Sequence, residues 1–104
     1  MFARNVAMHL KANSLAEFEK TFDDQVLPLL QKQAGFKDEI TFAMQGGNDV
    51  VAISLWDTKE HAEAYNTAAY PEVLKSLDKL LDGAPKVRVS NVISSTAHKQ
   101  VIAA

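Results

Sequence analysis

The stretch VVAISLWDTKEHAEAY, Val50 to Tyr65, decides the fold. A run of β-branched, apolar and small residues leads into the chain's only tryptophan, Trp56, and an acidic, alanine-rich segment follows at once. The first half reads as a strand and the second as a helix. Asp57 or Thr58 supplies the side-chain oxygen that caps a helix start, and Asp57 with Glu60 has the spacing of a capping box. A strand that passes into a helix without a loop fixes the phase of everything around it.

Working outward, GGND (Gly46–Asp49) is a tight-hairpin signal, because glycine tolerates positive φ. It joins the strand to a preceding one in FKDEITFAMQ, whose stronger face is Phe36, Ile40, Phe42 and Met44. Upstream again, Val6, Met8 and Leu10 alternate with Asn5, Ala7 and His9, the period of a half-buried strand. Between these strands, Ser14 and Glu17 have capping-box spacing, and Leu15, Phe18, Phe22, Val26 and Leu29/Leu30 form one helical stripe. Pro28 interrupts that stripe and should kink or break it, and Gly35 is a natural stop. Downstream, Pro71 restarts a helix that runs to Leu81, Gly83 and Pro85 end it, and KVRVSNVISS (Lys86–Ser95) is a fourth strand. Ala97 to Ala104 reads as a loose tail.

The order β-α-β-β-α-β is the split βαβ, ferredoxin-like arrangement of an α+β domain. Right-handed crossovers then require a four-stranded antiparallel sheet with both helices on one face. Residues 1–104 are expected to form a single domain, a usual size for one core.

Composition narrows the classes of function. A net charge of −2 with scattered basic residues gives no footprint for nucleic acid. The start, MFARNVAMHLK, is not expected to act as a signal peptide, and no stretch approaches the ~20 apolar residues that span a bilayer. The chain has no cysteine, which removes disulfides, thiolate catalysis and cysteine zinc sites and fits a cytoplasmic protein. His9, His61 and His98 are far apart, with none at an i, i+4 spacing, so no metal site is expected. No glycine-rich fingerprint calls for a flavin or nicotinamide, and GGND lacks the lysine and helix of a phosphate loop. The expected cofactor is none.

Period-two reading divides the strands into two faces. Val6, Met8, Leu10, Ile40, Phe42, Met44, Val51, Ile53, Leu55, Val87 and Val89 form a bulky set, assigned to the core under the helices. Asn5, Ala7, His9, Thr41, Ala43, Ala52, Ser54, Trp56, Arg88 and Ser90 form a small, mildly polar set on which another surface can approach closely. A second copy of the same sheet is the economical occupant, so a homodimer is expected, with a wet face on a monomer as the alternative.

Gly35-Phe36 opening the second strand, a third strand that ends in Trp56 before DTKEHAEAY, and the split βαβ order resemble the antibiotic biosynthesis monooxygenase-like (ABM) domain. The likeness covers nearly the whole chain. It implies a dimeric α/β barrel, two sheets face to face with helices outside, and a small pocket between helices and sheet in each subunit. Relatives include cofactor-independent oxygenases of aromatic polyketides, haem-degrading enzymes and proteins of unassigned activity, so the resemblance implies no one reaction. The haem-degrading relatives carry an Asn on the first strand and a Trp and an iron-binding His on the second helical segment. Here Val6 stands at the first of these positions, Asn5 points to the other face, Tyr65 stands at the Trp position, and no histidine lies between Ala62 and Ala97. His61 falls about four helical turns, ~20 Å, too early. A haem-degrading role is therefore not expected.

Within that frame, Phe22, Phe42, Met44 and Leu55 are the expected pocket wall. Tyr65 and His61, four residues apart on one helix, are the candidate proton-transfer pair, with a seam-filling tyrosine and a solvent-facing histidine as the alternative. Trp56 reads as packing rather than chemistry. His9 reads as a hydrogen-bonded interface residue rather than a base. Two functions follow: a small cofactor-independent monooxygenase acting on a compact hydrophobic or aromatic molecule, or a non-catalytic dimer that binds such a molecule.

Overall fold

The computed structural model describes residues 1–98; most of the expected tail, 97–104, lies outside the described residues. Strand β1 (Phe2–His9) leads into helix α1 (Leu15–Thr21), a π-helical stretch (Phe22–Val26) and helix α2 (Leu27–Gln31). Strands β2 (Phe36–Ala43) and β3 (Asp49–Trp56) form a hairpin, α3 (Lys59–Ala68) and α4 (Tyr70–Leu77) follow with a 3₁₀ turn (Asp78–Leu80), and β4 (Lys86–Asn91) closes the sheet. All neighbours are antiparallel in the order β2-β3-β1-β4. This is the expected four-stranded ferredoxin-like α+β fold. Among the described residues no helix is long and apolar enough to cross a membrane.

Local chemistry explains the joints. Thr58, in extended backbone, accepts the His61 backbone N–H at 3.2 Å and so caps α3. The Ser14 capping box does not form: the Ser14 hydroxyl turns back to the Ala12 carbonyl, and Asn13 takes a positive φ of 59°. Pro28 does not break its helix. The turn before it widens instead, the Leu27 N–H bonding five residues back to the Phe22 carbonyl, which makes room for a residue that has no N–H. Pro71 sits in the first turn of α4, where a missing donor costs nothing.

The faces of the sheet depart from the expectation. Val6 pairs with Ala52 and Val87, and Ala52 with Thr41, so those four share one face. Along each strand the same face carries Phe2, Arg4, Val6 and Met8 of β1, Val50, Ala52, Ser54 and Trp56 of β3, and Glu39, Thr41 and Ala43 of β2. This is the side the helices cover, and Phe18, Phe22, Val26, Leu30, Val73 and Leu77 pack down onto it. Strand β1 is placed as expected, whereas β2 and β3 are turned over. Ile40 and Phe42 point away from the helices and are 55% and 48% exposed, and Val51, Ile53 and Leu55 lie beside them half-buried.

Two causes account for the reversal. An irregularity between Phe36 and Asp38 inserts an extra residue in β2, so Phe36 faces the helices while Ile40 and Phe42 do not. In β3 both faces are apolar, and the smaller one is turned inward. Ala43, Ala52, Ser54 and Trp56 are therefore not on the open face as expected; Ala52, Ser54 and Trp56 are buried under the helices. Of that expected set, Asn5, Ala7 and His9 stay on the side away from the helices, with Arg88 paired opposite Asn5.

Candidate active site

The small inward residues of β3 leave space. A cavity of about 30 Å³ lies between the sheet and the helices, floored by Arg4, Val6, Ala52 and Ser54 and walled by Phe22, Tyr65 and Tyr70. Phe22 and Glu39 also border a groove of about 300 Å³ that opens between the first helical arm and the β2 edge. This inner space has room for little more than a water or a single substituent. The groove beside it has the size of a small-molecule site.

Arg4 dominates the cavity. It is only 3% exposed, and desolvation holds its guanidinium below the ordinary arginine range. Its Nη1 donates to Asn66 Oδ1 at 2.8 Å, and its Cζ lies 4.7 Å from the Tyr70 ring centre and 5.2 Å from that of Tyr65. Two further donors, Nε and Nη2, are buried and have no hydrogen-bond partner among the described residues. Cation–π contacts offset part of the desolvation but satisfy no N–H. Buried donors left open beside a cavity fit an anionic or strongly accepting ligand atom.

Register places Ser54 opposite both Arg4 and Glu39, so a cation, a hydroxyl and a carboxylate form one row across the floor. Burial raises the Glu39 carboxyl above the usual glutamate range, and Asp23 adds to this, while a 2.7 Å bond from the Thr41 hydroxyl to Oε2 works the other way. Tyr65 and Tyr70 are pushed up by burial, with Arg4 opposing, so both are neutral phenols at ordinary pH.

Several expected site residues stand elsewhere. Phe42, Met44 and Leu55 do not line the cavity: Phe42 and Leu55 lie on the far face of the sheet, and Met44 is exposed beyond β2. Phe22 and Tyr65 do line it. His61 does not line the cavity. Its Nδ1 bonds Asp57 Oδ1 at 2.6 Å near the surface, which holds the Asp57 carboxyl below its ordinary range. His9 pairs with Asp49 at 2.7 Å at the rim of the sheet, which raises its imidazole.

The Trp56–Thr58 junction is scaffold. Trp56 is fully buried, donates from Nε1 to Ser54 Oγ at 2.9 Å, stacks on Tyr65 at 4.9 Å and meets Phe36 edge-on. Asp57 closes the joint by donating its N–H to the Gly35 carbonyl at 2.8 Å. Gly35 has φ +80°, and a Cβ there would lie 2.2 Å from Asp57 Oδ1, so only glycine fits. No histidine lines the cavity, so the residues present do not fit a histidine-held haem. Among the described residues no group of three or more His, Asp or Glu side chains is placed to hold a metal ion.

Arg4, Glu39, Asn66 and Tyr70 are absent from the residues singled out by sequence, and Ser54 was assigned to the opposite face of the sheet. One signal was present. Arg4 falls in phase with Phe2, Val6 and Met8, a cation inside an apolar stripe.

A sheet of this order under one layer of helices has the ferredoxin-like fold, and the chain's version of it is ABM-like. Solved proteins bear this out. The chain is similar to NE2512, a protein of unknown function from Nitrosomonas europaea, at 14% identity over 95% of each chain, with a TM-score of 0.78. It is similar to SnoaB, a cofactor-independent oxygenase from Streptomyces nogalater, at 14% identity over 93% of this chain and 97% of that one, TM-score 0.76. It is also similar to the ActVA-Orf6 monooxygenase of Streptomyces coelicolor, solved with the ligand Nanaomycin D, at 18% identity over 90% and 88%, TM-score 0.78. At such identities the likeness is one of fold. No family model matches the chain, and no curated protein matches it.

Proposed function

We propose that the chain is a small cofactor-independent oxygenase of compact aromatic molecules, working in the cytoplasm as a homodimer. One observation carries the enzymatic reading: the buried Arg4, with two N–H groups open beside an aromatic-walled cavity. Such a group stabilises negative charge that forms on a bound substrate. A phenolic or enolic substrate that loses a proton becomes an anion able to pass an electron to O₂. Over the whole reaction an activated ring CH₂ and O₂ give a ring C=O and water, which balances without a cofactor. The names of two similar structures, a cofactor-independent oxygenase and a monooxygenase, support this reading. The inner cavity, about 30 Å³, takes the reacting oxygen substituent, and the ring system occupies the adjoining groove.

The test is oxygen uptake with 1,8-dihydroxyanthrone. The expected result is one O₂ consumed per quinone formed, at a rate proportional to enzyme. Uptake no faster than in buffer favours the second reading, a binding module without turnover, which the small size of the inner cavity supports.

The dimer is assigned to the face away from the helices. Ile40 and Phe42, exposed in the single chain, lie there with half-buried Val51, Ile53 and Leu55, a contiguous apolar patch of the kind that marks an interface. Light scattering should give about twice 11.4 kDa. Phe42→Arg should yield a monomer, because it forces an unpaired charge into the contact. A wild-type monomer at micromolar concentration would contradict this.

A further inference from the structure

We infer that Glu39 is the proton acceptor of this site, taking the proton from a neutral, weakly acidic phenol or enol whose oxyanion is then held by Arg4. The inference rests on the proposed function and names its substrate class and its base.

Position comes first. Glu39 lies in the same cross-sheet row as Arg4, with Ser54 between them, and it borders both the small inner cavity and the larger groove. It therefore touches the place where the proton leaves and the water that finally receives it. Thr41 fixes Oε2, so Oε1 is the free acceptor. The transfer balances: the substrate O–H bond breaks, a Glu39 O–H bond forms, and the negative charge moves from the carboxylate to the substrate oxygen beside the guanidinium.

Charge decides which form of the substrate enters. Glu19, Asp23 and Glu39 line the groove, so an already ionised substrate meets repulsion at the mouth. The neutral acid passes, and its anion finds a cation only at the inner end. The groups that face Glu39 are Asp23 and Glu19 from the first helical arm, Arg4 from β1, and Tyr65 and Tyr70 from the second arm. The two tyrosines stay protonated and cannot serve as the base. Desolvation raises the Glu39 carboxyl, which brings its affinity for a proton nearer to that of an acidic phenol. A base must be ionised to act, so activity should fall as pH drops through this raised range.

The test uses 4-nitrophenol, whose anion is yellow, below the pH at which the free probe ionises. Wild-type protein should bind it as the yellow anion without acidifying the medium, the proton remaining on Glu39. In Glu39→Gln the yellow band should fall at least ~10-fold, and any anion still bound should release its proton to the medium. With 1,8-dihydroxyanthrone, Glu39→Gln should lower kcat by ~100-fold or more with KM within about threefold, and Glu39→Asp should recover part of the loss. The acid limb of the wild-type pH profile should vanish in Glu39→Gln. Should that variant fail to fold, the wild-type profile still decides: no limb above the ordinary glutamate range overturns the inference. So does an undiminished yellow band in Glu39→Gln, or a wild-type complex without one. Yellow binding with no oxygen uptake would instead overturn the oxygenase reading and leave the proton transfer standing.

Discussion

Trp56→Ala should cost about 3–5 kcal/mol, a large part of the stability of a chain this size. The ring has no exposed surface, stacks on Tyr65 and meets Phe36, so truncation leaves a void where β2, β3 and α3 join. It also strands Ser54 Oγ, which accepts the indole N–H. Trp56→Phe should lose much less, because an aromatic ring still fills most of the space. Urea unfolding followed by circular dichroism checks both. If Trp56→Ala abolished turnover while costing under about 1 kcal/mol, the tryptophan would belong to the chemistry rather than the scaffold.

Arg4→Met should move stability and function in opposite directions. Arg4 is buried with two open N–H groups and, among the described residues, no carboxylate within salt-bridge distance. Removing such a group ends a desolvation cost and loses one bond to Asn66 and the cation–π contacts with two tyrosines. The net effect should lie between neutral and about 2 kcal/mol stabilising. Yet kcat/KM should fall about 100-fold or more, as when a donor to a developing oxyanion is deleted. A residue kept for packing would show the reverse: a loss of stability with turnover per folded molecule unchanged.

The element order was legible because its signals are local. Thr58 before a helix, Pro71 in a first turn and Gly35 at a positive φ each act within a few residues. The faces of β2 and β3 were not: β3 is apolar on both sides, so the ranking by bulk pointed the wrong way, and β2 turns a face with Glu39 and Thr41 inward. Bulk marks a core only where a protein wants its core filled. Here Ala52 and Ser54 face the helices so that a cavity remains, and Ile40, Phe42, Val51, Ile53 and Leu55 are turned outward. The extra residue near Lys37 added a second change of phase that no alternation rule shows.

The candidate site was half legible for the same reason. Tyr65 and Phe22 project from helices whose stripes are clear, and both reach the cavity. Arg4 and Glu39 sit on strands, where a charged residue reads as solvent-facing until the register is known. Once Ser54 is seen between them, the two belong to one site. His61 looked like Tyr65's partner at i, i+4 spacing, but Asp57 lies nearer on its own exposed side.

The central claim is that the Arg4 cavity and its groove bind a compact acidic aromatic, and the chain's single tryptophan reports on it. Trp56 stacks directly on Tyr65 of the cavity wall. Titration with 4-nitrophenol, a quencher of indole emission, should give saturable one-to-one quenching in the wild type and none beyond collisional quenching in Arg4→Met. Unsaturable quenching in the wild type, or the same binding curve in Arg4→Met, would contradict the account.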